Sequence, residues 1–242
     1  MELLENKRKQ LSEIYYKHRC ELQNICPYLV EEGYSHPYYL YIPDEWYERG
    51  YRILIVGEEG HGVKSPDISI EEAQTFNKEY MESQLGISTA YPRNASGFWN
   101  RIRKIHALFD TEDVSITWTN IDKIHRSGRG NCRLNDEERT DLHRVPTAVL
   151  AEEIELLNPT HVIYFGWYGI SLKAELPKVF EMLYPSGLGD FSVWKESKIA
   201  TIVHENVKHL FTYHPAWGQR QKGYEQRVLN TIKLSLKECT ET

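Results

Sequence analysis

The stretch YRILIVGEEGHG, residues 51–62, decides the fold of this chain. Its first half, Tyr51 to Val56, is a short apolar run that ends at a glycine. This pattern is typical of a strand buried on both faces of a parallel sheet. Its second half, Gly57 to Gly62, combines glycines with two acids. Because ligands of parallel sheets lie at the carboxyl ends of the strands, we expect a site in this loop.

Three further strands are predicted from similar apolar runs. They are Val114–Thr119, His161–Phe165 and His209–Tyr213, and a hairpin-like element in FSVWKESKIATIVHE is expected beside them. Strands that alternate with helices predict a sheet covered on both faces. The fold class we predict is therefore α/β, a three-layer α/β/α arrangement with a four-stranded, mainly parallel central sheet.

Helical spacing of apolar residues predicts the helices around this sheet. The predicted helices are Glu2–Asn24, Glu71–Leu85, Gly97–Phe109, one that restarts after Pro146, Ile170–Leu183 and Tyr224–Cys239. The chain has neither internal repeats nor a low-complexity linker. We predict a single domain over residues 1–242, in which residues 1–50 form an N-terminal helix and an irregular arm, residues 26–50, that packs on the domain.

Composition and charge narrow the function classes. Hydrophobic residues make up 40% and charged residues 26%, which is ordinary for a globular protein. The net charge of −6 argues against coating nucleic acid through bulk charge, although a local basic loop would still bind it. No apolar run approaches the roughly 18 residues of a membrane span. We expect a cytoplasmic monomer that does not enter a membrane.

The cysteine pattern predicts reduced structural thiols. Cys20, Cys26, Cys132 and Cys239 form no CxxC pair and no spacing with histidine that is typical of zinc sites. The spacing also differs from that of iron–sulfur ligands. We predict no metal, no iron–sulfur cluster and no other cofactor.

The loop after the first strand has two interpretations. Its glycines would let backbone N–H groups approach an anion, but the adjacent carboxylates of Glu58 and Glu59 would repel phosphate. The loop matches neither a P-loop nor a dinucleotide-binding fingerprint. A simple turn and a functional site are equally compatible with the loop alone.

Polar residues also follow the second and fourth strands. Asn120 presents an amide that both donates and accepts hydrogen bonds, which suits the edge of a base, although asparagine is also a common turn residue. His214 lies where a strand-end ligand would bind. Basic residues cluster around glycines after Asn120 and suit phosphate contacts, with a solvated loop as the alternative. The basic residues are Lys123, Arg126, Arg129 and Arg133.

The order of these motifs resembles the uracil-DNA glycosylase superfamily. VGEEGHG resembles the superfamily's first motif, and TNIDK resembles the TN-x-x-K motif of one branch. IELLNPTHVIYFG resembles the phrase around the third strand, and HPAWG resembles the last, histidine-proline motif. Together the motifs span about residues 52–224. The resemblance implies a DNA glycosylase that hydrolyses the N-glycosidic bond of uracil, or of another damaged or modified base, flipped out of single- or double-stranded DNA.

The resemblance also implies roles for individual residues. Glu59, with Glu58 as the alternative, would activate the water, and His214 would donate to the departing base. The expected base-binding residues are Asn120, Phe98, Gly57 and His61. The expected DNA-binding residues are Lys123, Arg126, Arg129, Trp217 and Arg220. Trp217 stands near the place of the superfamily's leucine wedge and would fill the gap left by the flipped base.

Two other functions stay open. Gly60 stands where the superfamily's first motif has proline, which favours a non-catalytic module that binds nucleic acid or nucleotides. The negative net charge favours a hydrolase of free nucleosides or nucleotides. Phe98 and Trp99 have a structural alternative as well, because both would fit the apolar face of a helix.

Overall fold

The computed structural model is built on a central sheet of five strands. The strands are β1 (Tyr51–Glu59), β2 (Val114–Asp122), β3 (His161–Phe165), β4 (Ile199–His204) and β5 (Val207–Thr212). Their order is β2-β1-β3-β5-β4. Strands β2, β1, β3 and β5 are parallel to one another, and β4 runs antiparallel to β5. The prediction of a mixed α/β fold with a mainly parallel sheet is confirmed.

The structure describes residues 2–25, 38–59, 68–110, 112–123, 148–166, 199–218 and 221–237. At 22–25, 58–59, 122, 217–218 and 237 it describes the backbone alone. The predicted helix at Ile170–Leu183 lies outside these residues.

The sheet has one strand more than predicted, because the expected hairpin-like element joins it. A two-residue turn connects β4 to β5, and both of its residues, Glu205 and Asn206, have positive φ angles of 47° and 68°. Such a turn matches the right-handed twist of a hairpin. It pairs His204 with Val207, so β4 becomes the edge of the main sheet. The sequence His-Glu-Asn-Val lacks the glycine that usually announces this turn.

Strand register brings the carboxyl ends of the parallel strands to one edge. Gly57 of β1 pairs with Asn120 of β2, and Phe165 of β3 pairs with Thr212 of β5. β1 and β2 each continue beyond the predicted ends, to Glu59 and Asp122. The centre of the sheet is dry, since the residues from Ile53 to Val56 are all 0% exposed.

The described residues also form helices. They are α1 (Glu2–Ile25), α2 (Ile70–Leu85), α3 (Gly97–His106), α4 (residues 148–157), the single turn α5 (Pro215–Gly218) and α6 (Tyr224–Lys237). Local sequence fixes their ends. Ser69 and Glu72 form a capping box that starts α2, and Gly86 ends it with a φ of 84°. None of the described helices combines the length and the apolar character needed to cross a membrane.

The described part of residues 1–50 packs on the rest of the protein. Leu11 of α1 and Leu40 and Ile42 of the arm are 0% exposed. The arm is also tied by hydrogen bonds, because the indole N–H of Trp46 donates to the Leu157 carbonyl over 2.8 Å. This segment therefore contributes to the core.

Candidate functional site

The site begins with a close approach at the ends of β1 and β2. A β-carbon placed on Gly57 would lie 2.4 Å from Oδ1 of Asn120 and 3.2 Å from Cε2 of Phe98. Real β-carbons do not approach other atoms as closely as the first distance. Glycine at position 57 therefore lets both the Asn120 amide and the Phe98 ring approach the backbone of β1.

Asn120 holds an unused donor within this contact. Its side chain is 2% exposed, and Nδ2 has no hydrogen-bond partner among the described residues. A buried polar group left without a partner costs about 1–3 kcal/mol. A binding site that receives a carbonyl oxygen at Nδ2 would repay this cost on binding.

Phe98 supplies an aromatic wall beside the amide. Ser96 caps α3 by accepting from the Trp99 N–H, and this cap places Phe98 in the first turn of the helix. The Phe98 ring contacts the Phe165 ring edge-on, with the ring centroids 5.5 Å apart. The centroids of the Phe98 and His214 rings are 6.4 Å apart, and the two ring planes differ by 21°. Trp99 is 5% exposed and packs on Trp118, so it belongs to the core while Phe98 is half-buried at the site.

His214 follows β5 and caps the single turn α5. The N–H of Ala216 donates to Nδ1 of His214 over 3.2 Å, in the way that an N-cap side chain accepts from the second residue of a helix. Pro215 suits the first helical position because its φ is fixed and it lacks the N–H. Since Nδ1 accepts, the proton of the neutral ring is on Nε2, which is therefore a hydrogen-bond donor.

Arg101 is a residue of this region that the sequence patterns did not single out. It is 0% exposed on α3, one turn beyond Phe98. Its guanidinium donates to the carbonyl of Tyr213 over 2.6 Å and to the carboxylate of Glu225 on α6. The available signal was the spacing of three between residues 98 and 101, which places both on one face of the helix.

Lys123 does not lie on a surface strip, contrary to its predicted contact with phosphate. Its side chain is 2% exposed, and Nζ lies 2.8 and 2.6 Å from the two carboxylate oxygens of Glu153 on α4. Nζ also donates to the hydroxyl of Thr119. Burial lowers the pKa of Lys123, and the Glu153 carboxylate opposes that effect. We correct its assignment to a buried ion pair, because a phosphate cannot reach the ammonium group there.

Glu153 is the centre of a buried polar network that sequence analysis did not identify. Besides Lys123, it accepts from the hydroxyl of Tyr15 over 2.6 Å and from Thr119 over 2.9 Å. Tyr15 in turn accepts from the Leu40 N–H over 2.8 Å. Burial and the Glu153 carboxylate raise the pKa of Tyr15 well above its usual value. The network joins α1, the arm and α4 to the strand that carries Asn120.

Several predicted site residues have no described side chain. The backbone of Glu58 and Glu59 ends β1, where Glu59 pairs with Asp122. Trp217, which was expected to fill the gap left by the flipped base, lies in α5, and only its backbone is described. The remaining predicted residues lie outside the described part of the chain, and these are His61, Arg126, Arg129 and Arg220.

A cavity of about 330 Å³ lies apart from this site. It is formed by the arm, α2 and the first half of β2, and no residue predicted for the site lines it. Its lining includes Asp44, Glu45 and Glu82 as well as Lys78 and Arg49, so side chains of both charges face it. We place the candidate site at the strand ends, where the unused donor is.

Comparisons of the sequence with protein-family models and with curated proteins identify no relative of this chain. The chain matches no model of a protein family, and no curated protein is significantly similar to it in sequence. Among the described residues, no group of three or more His, Cys, Asp or Glu side chains is arranged to hold a metal ion.

Proposed function

We propose that this protein is a DNA glycosylase that hydrolyses the N-glycosidic bond of uracil, or of another damaged or modified base, flipped out of DNA. The observation that carries the proposal is that Asn120 and Phe98 both lie against Gly57 at the carboxyl edge of the sheet, and that the His214 ring lies beside Phe98. A ring wall, an unused amide donor and an imidazole donor are what a planar base with carbonyl oxygens requires.

The described residues support the base side of the reaction. The extruded base would stack on Phe98, and Nδ2 of Asn120 would donate to one of its oxygens. When the bond between the base nitrogen and C1′ of the sugar breaks, both bonding electrons leave with the base. The Nε2–H group of His214 would stabilise the resulting negative charge, as a donor fixed before the reaction starts does.

The sugar side of the reaction rests on the sequence resemblance. Glu59, with Glu58 as the alternative, would accept a proton from the attacking water, whose oxygen then bonds to C1′. Arg126, Arg129 and Arg220 would contact phosphates, and Trp217 would fill the gap in the duplex. Lys123 is left out of this set because of its ion pair with Glu153.

The test is base release from a panel of oligonucleotides that contain uracil, hypoxanthine, xanthine or modified cytosine, in single and double strands. We expect abasic sites with at least one base. His214→Asn is the matched control, because asparagine keeps an acceptor for the helix cap but lacks the Nε2 donor. The proposal fails if no oligonucleotide yields abasic sites above the level of this variant.

A nucleoside hydrolase is the second candidate, and the position of Lys123 favours it. Because Lys123 is buried, the expected DNA-binding residues lose one positive charge in a chain whose net charge is −6. Free deoxynucleosides belong in the same assay for this reason. Release from nucleosides without salt-dependent DNA binding would favour this candidate, whereas DNA binding without any release would favour a non-catalytic module.

A further inference from the structure

We infer that Arg101 is a positioning residue that fixes His214 for the reaction. The inference rests on the proposed function, because the position of His214 matters for catalysis only if this residue donates to a leaving group. Arg101 is buried beneath the site, and it reaches His214 by two separate routes. One route passes through the backbone at the end of β5, and the other passes through the aromatic wall.

The backbone route acts on Tyr213, the residue directly before His214. Its carbonyl accepts from NH1 of Arg101 over 2.6 Å, and its N–H donates to the hydroxyl of Tyr224 over 2.8 Å. The strand ends at Thr212, so side chains of α3 and α6 hold both backbone groups of Tyr213 where the sheet no longer does. The peptide that leads into His214 is thereby fixed.

The guanidinium group is itself held in one orientation. Its Nε and NH2 groups both donate to Oε2 of Glu225, over 2.9 and 2.7 Å, and NH1 also lies 3.3 Å from the hydroxyl of Thr212. An unpaired buried charge would be costly, so the Glu225 carboxylate is needed to keep the group in place. The planar fork of arginine makes these contacts at once, which the single ammonium group of lysine cannot do.

The aromatic route acts on the wall beside His214. The guanidinium carbon of Arg101 lies 5.2 Å from the centre of the Phe165 ring. Phe165 meets Phe98 edge-on, and Phe98 lies beside His214 with the planes 21° apart. A shift of Arg101 would therefore move the imidazole and the surface against which the base stacks.

The test compares Arg101→Met and Arg101→Lys with Arg103→Met as the matched control. Arg103 is on the same helix and makes hydrogen bonds to Gln84, Asn94 and Asn100, none of which is in β5. We expect kcat for base release to fall by about 10²-fold in Arg101→Met, since small misplacements of a catalytic group cost this much. KM should change less, Arg101→Lys should restore little, and Arg103→Met should leave kcat unchanged.

A second measurement does not depend on activity. Long-range ¹H–¹⁵N spectra report which ring nitrogen of His214 carries the proton. We expect the Nε2–H form in the wild type and in Arg103→Met, and a mixture of tautomers in Arg101→Met. If Arg101→Met does not fold, Glu225→Gln replaces it, because it removes the charge that holds the guanidinium group, and a smaller change in the same direction is expected.

The two measurements separate failure of this inference from failure of the proposed function. If the wild type releases no base but the tautomer changes in Arg101→Met alone, the proposed function is wrong, while the structural part of the inference, that Arg101 fixes the His214 ring, still stands. If base is released and neither kcat nor the tautomer differs between Arg101→Met and Arg103→Met, the positioning role is overturned. Equal losses in both variants would likewise overturn it, because they would reflect the stability of α3 alone.

Discussion

Gly57 and Asn120 are paired across strands β1 and β2, and the Asn120 amide oxygen fills the space that a β-carbon on residue 57 would need. The glycine is therefore required by the site and not by a turn. Its replacement would press directly on the amide whose Nδ2 is unused.

Gly57→Ala should displace the Asn120 side chain, because the added carbon would lie 2.4 Å from its oxygen. We expect base release to fall strongly, with a loss of about 1–3 kcal/mol in the free energy of unfolding from overpacking. Rates of base release and urea unfolding curves measure the two effects. Gly50→Ala is the control, since its β-carbon would come no closer than 4.0 Å to the carbonyl of Asp113. A Gly57→Ala variant with the wild-type rate would contradict the site.

The two functions of the His214 ring should separate by mutation. Nδ1 caps α5, while Nε2 carries the proton assigned to the leaving group. His214→Asn should keep the free energy of unfolding near that of the wild type, and His214→Ala should lose about 1 kcal/mol with the cap. Both should lower kcat by roughly 10²- to 10³-fold, as loss of an oxyanion donor does. Thermal unfolding and single-turnover base release test this, and a fully active His214→Asn would refute the role of Nε2.

The sequence predicted which polar residues would lie at the ends of the strands. Gly57, Asn120 and His214 were found because apolar runs marked the strands, and parallel strands bring their carboxyl ends to one edge. Phe98 was expected there only through the resemblance, and the structure places it in the first turn of α3 after the cap at Ser96. Local patterns were sufficient only for the residues that follow the strands.

Local patterns failed for residues whose environment depends on distant partners. Lys123 was grouped with a basic loop, but Glu153 lies 30 residues away along the chain and binds it within the protein. Arg101 was overlooked because Glu225, its partner, is 124 residues away. A charged residue in a sequence is usually solvated, and only the tertiary fold shows which one is buried and paired.

Removing one partner of the Lys123–Glu153 ion pair should lower the free energy of unfolding more than replacing both partners with apolar residues. Glu153→Leu would leave the Lys123 ammonium group buried without its carboxylate, which costs about 3–5 kcal/mol of unfolding free energy. The double variant Lys123→Met with Glu153→Leu should recover the part of this loss that comes from the unpaired charge, while the Tyr15 and Thr119 hydroxyls still lack the Glu153 acceptor. Urea unfolding of the single and double variants measures the difference. Equal losses in the two variants would show that the Lys123 charge is not the cause.

Two buried histidines should make the protein less stable as the pH falls below neutrality. Burial lowers the pKa of His161 to about 4, with the Lys208 charge adding to the effect, and burial lowers that of His209 to about 3. In the unfolded chain both titrate near 6.5. Below that pH the unfolded state takes up protons that the folded state does not. The stabilisation is therefore complete above pH about 6.5 and is lost as the pH falls toward the folded values.

The measurement is the free energy of urea unfolding between pH 7.5 and pH 5. This whole range lies above the pKa values of most carboxylates. Each histidine that stays neutral should contribute a slope of up to about 1.4 kcal/mol per pH unit. His209→Gln and His161→Gln should each reduce the total slope by the contribution of the histidine that is replaced. The slope is the quantity to compare between variants. A general loss of stability from either substitution lowers the unfolding free energy at every pH and leaves the slope unchanged. If both variants keep the wild-type slope, these histidines titrate over the same pH range in the folded protein as in the unfolded chain, and the assignment of neutral buried imidazoles is wrong.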